Sequence, residues 1–387
     1  MKRLQTAAGV FLLAVICGLA GCGEKKGTAK AKDYYALVQK QEKFGYIDGT
    51  GKKVIDFIYE DAGNFSENGL AYVLKDGKYG YISTDGSMAI EPKFDRSYGF
   101  SHGYAVIEQK GKFGAIDTQG NMVIEPKYEG IFTFGENGMA VYQKGDKYGY
   151  LSKEGEEVIP ASYTMAKAFT KEGLAVVMKD EFFGMIREDG SEAVPVEYQY
   201  LDDLGENGVA LAEKDNKWGY IDKDGNTVID FIYDGASSFS KNGLAAVFKD
   251  GKYGYIDKKG KTVIEFEYTN AGKFSDAGDG TFLAAVCMED SYGYINEKGE
   301  KAVPIRYAYV SDFSENGLAA VSDDMGWGYV DRKGQEIGDL KYQYAGAFGE
   351  SGLAIVEAES VYGCINTEGE IVVEPEYENI GNFVKIK

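Results

Sequence analysis

The chain has 387 residues, with 42 basic side chains against 62 acidic ones and a formal net charge of −20. Such an acidic chain lacks the concentrated basic surface that polyanion binding requires, which argues against nucleic acid as a partner. One histidine and four cysteines leave little for imidazole or thiolate chemistry, and no cofactor or metal site is expected.

In chain order, the first element reads as an export signal. Lys2 and Arg3 give a positive start, and Ala7 to Leu19 form an apolar stretch too short to span a bilayer comfortably. The run Leu19-Ala20-Gly21-Cys22 resembles a bacterial lipobox. That resemblance implies cleavage before Cys22, a diacylglycerol on its sulfur, and a mature chain held outside the cytoplasm at the cell membrane or outer envelope. An ordinary secretory signal that happens to contain a cysteine is the competing reading. Residues 1–21 are thus the signal and 22–33 a lipidated tether carrying Lys25, Lys26, Lys30 and Lys32, suited to an anionic surface.

From residue 34 to 387 one unit is written ten times. An aromatic residue followed by glycine recurs from Phe44-Gly45 to Tyr362-Gly363, at a spacing of 35 residues except for one of 34 and one of 39. Such a period indicates stacked supersecondary modules. In the unit Leu244 to Phe274, a strand over 244–249 leads through Asp250-Gly251 to a strand over 252–257. A second turn containing Gly260 leads to a third strand over 261–266. The expected fold is all-β: tandem three-stranded antiparallel meanders in a propeller-like toroid or an open superhelical array. No N-terminal strand is offered to the last unit, which favours an arc or a loosely closed array.

The glycine of the second turn stands in all ten units, which points to a positive φ there. The aspartates that open this turn, such as Asp48 and Asp117, read as turn formers rather than calcium ligands. Both faces of the second strand are apolar, so it must be covered on both sides, and its glycine leaves a notch for a neighbouring unit's ring. All six prolines fall near the end of the third strand, where a residue without an N–H marks an edge. A Tyr-x-x-Ala-x-x-Phe crossover such as Tyr59-Ala62-Phe65 suggests a turn of tight helix or an irregular link.

The consensus K-[WFY]-G-Y-I-D-x-x-G-x-x-V-I-x-P-x-Y resembles the WG repeat, also called the KWG repeat, of bacterial secreted and surface proteins. The likeness covers Tyr34 to Lys387, although literal Trp-Gly occurs only at Trp218 and Trp327. It implies a repeat array and says little about activity.

No catalytic constellation stands out. His102 replaces part of a Ser-Glu-Asn-Gly loop and has no sequence-defined partner, and Cys287 and Cys364 read as buried apolar residues without a disulfide. The chain reads as a monomeric, non-catalytic scaffold that binds an envelope protein, with glycan binding as the alternative. Aromatics outside the fixed repeat positions, Tyr98, Tyr200 and Tyr309, are the candidate ligand contacts. The one long spacing lies in Phe274 to Phe282, where four extra residues are expected to bulge outward and to be dispensable for stability. Asp276 and Asp279 there are further candidate contacts, for a partner or a weakly held calcium ion.

Overall fold

Residue pairs such as Asp250-Gly251 adopt positive φ at both positions, the backbone of a two-residue hairpin whose twist matches its strands. Leu244–Lys249 therefore pairs in register with Lys252–Asp257. The ten glycines of the second turn all have φ between 77° and 83°, where any other residue would be strained. At Asp48 the side-chain Oδ1 accepts hydrogen bonds from the backbone N–H groups of Thr50 and Lys52 at 2.9 and 3.1 Å. Asp117, Asp222, Asp257 and Asp331 repeat this pattern, which is turn chemistry.

The computed structural model describes residues 31–323 and 325–386; the signal sequence of 1–21, Cys22 and the tether before Ala31 lie outside them. Ten antiparallel sheets form a ten-bladed β-propeller. Nine blades have four strands and the first has five, rather than three. The crossover read as a turn of tight helix or an irregular link is instead a strand, as short as Asp61–Ala62 or Gly235–Ala236, added to the front of the meander. The ring is closed, not an open arc. The C-terminal residues Asn379 and Ile380 pair with Gln39 and Val38, while Val384 and Lys385 pair with Tyr35 and Tyr34. Closure comes from the opposite chain end to the one considered in the sequence, and the chain's end completes the first blade. The core of that joint joins Ala36, Val38 and Ile47 to Val373, Tyr377 and Ile380.

The third strand is an edge in every blade, as the prolines require. Its register explains the aromatic-glycine pair. Tyr253 faces Tyr268 and Tyr255 faces Ile264, so one residue on one strand opposes three on the other, and the third strand bulges over Gly254. A Cβ at Gly254 would lie 2.8 Å from the Ile264 carbonyl oxygen, and one at Gly80 would lie 2.5 Å from that of Ile90. The notch is thus filled by the blade's own edge strand and not by a neighbour's ring.

The rings that do join blades come from the next tyrosine along. Tyr46, Tyr81, Tyr150, Tyr220, Tyr255, Tyr294 and Tyr329 each donate their hydroxyl to the carbonyl 17 residues later, at 2.6–2.9 Å. Each also packs on the phenylalanine two residues beyond that carbonyl, with ring centroids 4.6–4.9 Å apart. Ile256 on the opposite face packs with the preceding blade, so both faces are covered as expected.

The long spacing is a correction. Asn270–Asp276 forms a lengthened strand that pairs with Phe282–Met288 as far as Asp276 and Phe282. Its tip does not bulge away. Ala277 is fully buried among Leu283, Phe313 and Ala319. A Cβ at Gly278 would lie 2.4 Å from the Glu315 carbonyl oxygen. Arg332 of the next blade donates to the Gly278 carbonyl and pairs with Asp279, both at 3.0 Å. The extra residues extend a hairpin whose apolar tip reaches the neighbouring blade's core, so they are structural.

Two predictions follow from this packing. Burial pushes the hydroxyl pKa of all seven clamp tyrosines upward. An unfolded tyrosine titrates at about 10. Below that pH both states hold the proton and the contribution is complete. Above it the unfolded chain releases protons that the folded rings retain, so stability falls as pH rises. Thermal melts should show a midpoint steady through neutral pH that drops steeply above pH ~10, and a flat alkaline limb would refute the buried clamps. Placing a charge at Ala277 (Ala277→Asp) should destabilise the protein by at least about 2 kcal/mol, the cost of an unpaired buried polar group. Urea titration of the variant measures this, and an unchanged midpoint would return the hairpin tip to a dispensable loop.

Candidate functional site

Variation between blades concentrates at two registers of the short strand. The first register holds Asp61, Arg96, Gly130, Met165, Tyr200, Gly235, Asn270, Tyr309, Tyr344 and Asn379 in chain order. The second lies two residues on and includes Gly63, Tyr98, Phe132, Lys167, Asp202 and Ser237. In clamped blades the fold uses the second register through its backbone, whose carbonyl receives the tyrosine hydroxyl. The clamp does not involve its side chain, and glycine, serine, tyrosine and lysine all stand there, although a Cβ at Gly63 would lie 2.2 Å from the Tyr72 ring.

The three candidate tyrosines sit on these registers and are exposed: Tyr98 by 42%, Tyr200 by 37% and Tyr309 by 65%. They stand on the third, sixth and ninth blades and are not brought together into one site. Each has its own setting. The Tyr200 ring lies 5.1 Å from Trp218 and 6.3 Å from Phe183. Tyr309 lies 6.3 Å from Trp327, nearly parallel to it at 24°. Tyr98 flanks a cleft between the third and fourth blades. Two exposed aromatics on these registers were missed, Tyr344 and Phe132. Tyr344 stands 35 residues after Tyr309, so its register alone could have found it. Phe132 stands 18 residues after Gly114, as Tyr98 stands 18 after Gly80, so its register could have found it too.

Charged side chains use the second register differently. Lys167 and Asp202, on adjacent blades, pair at 3.4 Å, and Lys167 also reaches Asp203 at 3.0 Å. The Lys167 ammonium is held above its usual range; burial opposes this and the two aspartates outweigh it.

The Ser-Glu-Asn-Gly loops of the later blades border a hollow of about 1080 Å³. Asp276 lines it, together with Lys241, Lys273, Asp312 and Glu350. Burial raises the Asp312 carboxyl pKa, with Lys273 opposing. The Asp276 carboxylate accepts from the Gly278 N–H at 2.9 Å, and Asp279 is held by Arg332, so both serve the lengthened hairpin. Among the described residues no group of three or more histidine, cysteine or acidic side chains is placed to hold a metal ion. His102 is exposed, and its Nδ1 lies 3.0 Å from both the Ser101 hydroxyl and the Phe134 carbonyl. Cys287 and Cys364 are buried in separate blades, and burial pushes the Cys364 thiol up to about 12. Cys22 lies outside the described residues.

Comparison with solved structures gives distant likenesses. A eukaryotic initiation factor is 10% identical, with a TM-score of 0.49, 79% of this chain and 94% of that chain covered. The dihydro-heme d1 dehydrogenase NirN is 12% identical with a TM-score of 0.39, covering 83% and 75%. AztD of Citrobacter koseri is 13% identical with a TM-score of 0.37, covering 92% and 98%. At these values the fold assignment rests on the strand pairing itself. A search of curated proteins finds no match. The model of the WG containing repeat matches ten times, over 44–79, 79–113, 113–148, 148–181, 183–218, 218–253, 253–291, 292–324, 327–360 and 362–385. With a match in every blade, the chain belongs to the family of proteins built from the WG containing repeat.

Proposed function

We propose that this protein is a non-catalytic binding scaffold, held outside the cytoplasm by lipid on Cys22, whose partner is a protein of the cell envelope. The observation that carries this reading is the separation of duties within the repeat. Tyrosine, phenylalanine and glycine positions build the ring, while the two short-strand registers carry different side chains from blade to blade. A rigid frame with varied exposed positions is the arrangement by which repeat proteins recognise partners. The location rests on Lys2, Arg3, the apolar stretch and the run Leu19 to Cys22. The acidic charge suits a soluble body near an anionic surface, and the molecule acts as a monomer.

A glycan ligand is the second reading, favoured by the exposed Tyr309 ring lying nearly parallel to the half-buried Trp327 ring. Aromatic faces of this kind can stack on the apolar face of a sugar ring.

Metabolic labelling with a fatty-acid probe tests the anchor: label should be lost in Cys22→Ala, and undiminished label would dispose of it. For the ligand, the purified propeller should retain a discrete envelope protein in pull-downs, with retention reduced by Tyr200→Ala or Tyr344→Ala. Binding to a sugar array that Tyr309→Ala abolishes, without a pull-down partner, would transfer the assignment to the glycan reading.

A further inference from the structure

At the joint between the third and fourth blades the tyrosine clamp is missing. Ala115 stands where seven other blades carry the clamp tyrosine, and its cross-strand partner is Val106. A tyrosine at 115 would run past Val106 to the carbonyl 17 residues on, that of Phe132. Val106 and Phe132 both line a cleft of about 490 Å³. Phe134, the ring that the missing tyrosine would cover, packs on Tyr104 instead, with centroids 4.8 Å apart and planes at 29°. Tyr104 occupies the place held by Leu70, Leu174 and Leu244 in other blades. The repeat has moved one ring to the side and left a gap beside it. In the fifth blade, which also lacks the tyrosine, Met185 fills the corresponding place and packs against Leu201 and Leu204.

The mouth of this cleft is specialised as well. Tyr98 and Phe132 occupy the same register of adjacent blades, where glycine or serine is usual, and both are more than two-fifths exposed. The floor is apolar, from Tyr104, Val106, Phe113, Ile131 and Phe134. Glu129 is the only charged residue in the lining, with Gln143, Thr133 and Ser101 as neutral polar neighbours. Without a cationic side chain the cleft offers nothing to an anion. An apolar cavity of about 150 Å³ accommodates benzene, so this cleft has room for more than one ring, within the size range of small-molecule pockets.

We propose that this cleft binds a small uncharged aromatic molecule bearing a hydroxyl or N–H donor. Its ring takes the place of the missing tyrosine, and its donor reaches the carbonyl of Phe132. The ligand completes the joint with the chemistry that the other blades supply from their own sequence. Tyr98 and Phe132 cover the part of the ring system that projects to the mouth.

The test uses 2-naphthol as the probe and 2-methoxynaphthalene as its counterpart without a donor, titrated by calorimetry or intrinsic fluorescence against the full propeller. Saturable one-to-one binding of 2-naphthol is expected, with the methyl ether about five-fold weaker, the worth of one hydrogen bond. The pair Tyr104→Leu and Ala115→Tyr restores the arrangement of the clamped blades and should weaken 2-naphthol at least ten-fold. Phe132→Ser changes an exposed residue to one that other blades carry at this register, and should weaken binding several-fold while the melting temperature stays put. Tyr309→Ser, on a distant blade, should leave the affinity unchanged. Absence of saturable binding, or equal affinity in wild type and the Phe132→Ser variant, overturns the proposal. Equal affinity for naphthol and its methyl ether overturns the part assigned to the Phe132 carbonyl.

Discussion

The ring depends on one repeated interaction: a tyrosine of one blade that donates to a backbone carbonyl of the next and lies against the phenylalanine beyond it. The joint between blades is largely apolar, and a phenol is suited to it. The ring supplies area, and its hydroxyl gives a backbone carbonyl of the next blade a hydrogen-bond donor. Net of desolvation each hydrogen bond contributes about 1 kcal/mol and each ring pair roughly 0.5–1.5 kcal/mol beyond its area. Neither is large alone. Repeated at seven joints, they fix how far each blade turns relative to the last, because the hydroxyl reaches its carbonyl in only one relative placement.

The same interaction explains why the interior is uniform while parts of the surface are not. A contact made through a backbone carbonyl constrains where that residue sits but not what it is. Gly63, Tyr98, Lys167 and Ser237 all accept the same hydrogen bond. Where there is room for a side chain the clamp tolerates sequence change at this register, and diversity collects there; Gly63, where a Cβ would lie 2.2 Å from the Tyr72 ring, is an exception. The edge strands follow a different rule. Their bulges and prolines interrupt the row of N–H and C=O groups that an incoming chain would pair with, so recognition at those edges falls to side chains rather than to an added strand.

Local features were legible in the sequence because local chemistry determines them. Asp-Gly hairpins, the positive φ of Gly260 and its counterparts, the third strand as an edge, and the two covered faces of the Tyr-Gly-Tyr-Ile strand all follow from a few adjacent residues. Features that depend on pairing between distant or weakly patterned segments did not. Two-residue strands such as Asp61–Ala62 are too short to show a period, and their strand character comes entirely from the partner strand. Closure depends on Asn379 and Ile380 meeting Gln39 and Val38 at the far end of the chain. The notch at Gly254 was read as room for a neighbouring unit's ring, whereas the approaching atoms belong to a bulge of its own blade whose register cannot be seen in composition. The long spacing looked like a loop because of its glycines and aspartates, whereas Ala277 between them carries the packing. Among the candidate contacts, the exposure of Tyr98, Tyr200 and Tyr309 was legible as departure from the repeat, and their separation on different blades was not.

The closure joint has a consequence for how such rings vary in size. The first and last described strands lie in the first blade, where the pairs of residues 379–385 with residues 34–39 fasten the ring like the buckle of a belt. Every other joint lies between consecutive repeats and uses contacts written within them, including the second-turn glycine of one blade against the third-strand side chain of the blade before, as in Gly86 on Ile55 and Gly260 on Ile229. Inserting or removing a whole repeat therefore leaves the buckle and the remaining joints with the same partners. Circumference becomes a quantity that duplication can change in steps of one blade, with the strain of a wider or narrower ring shared equally among all its joints.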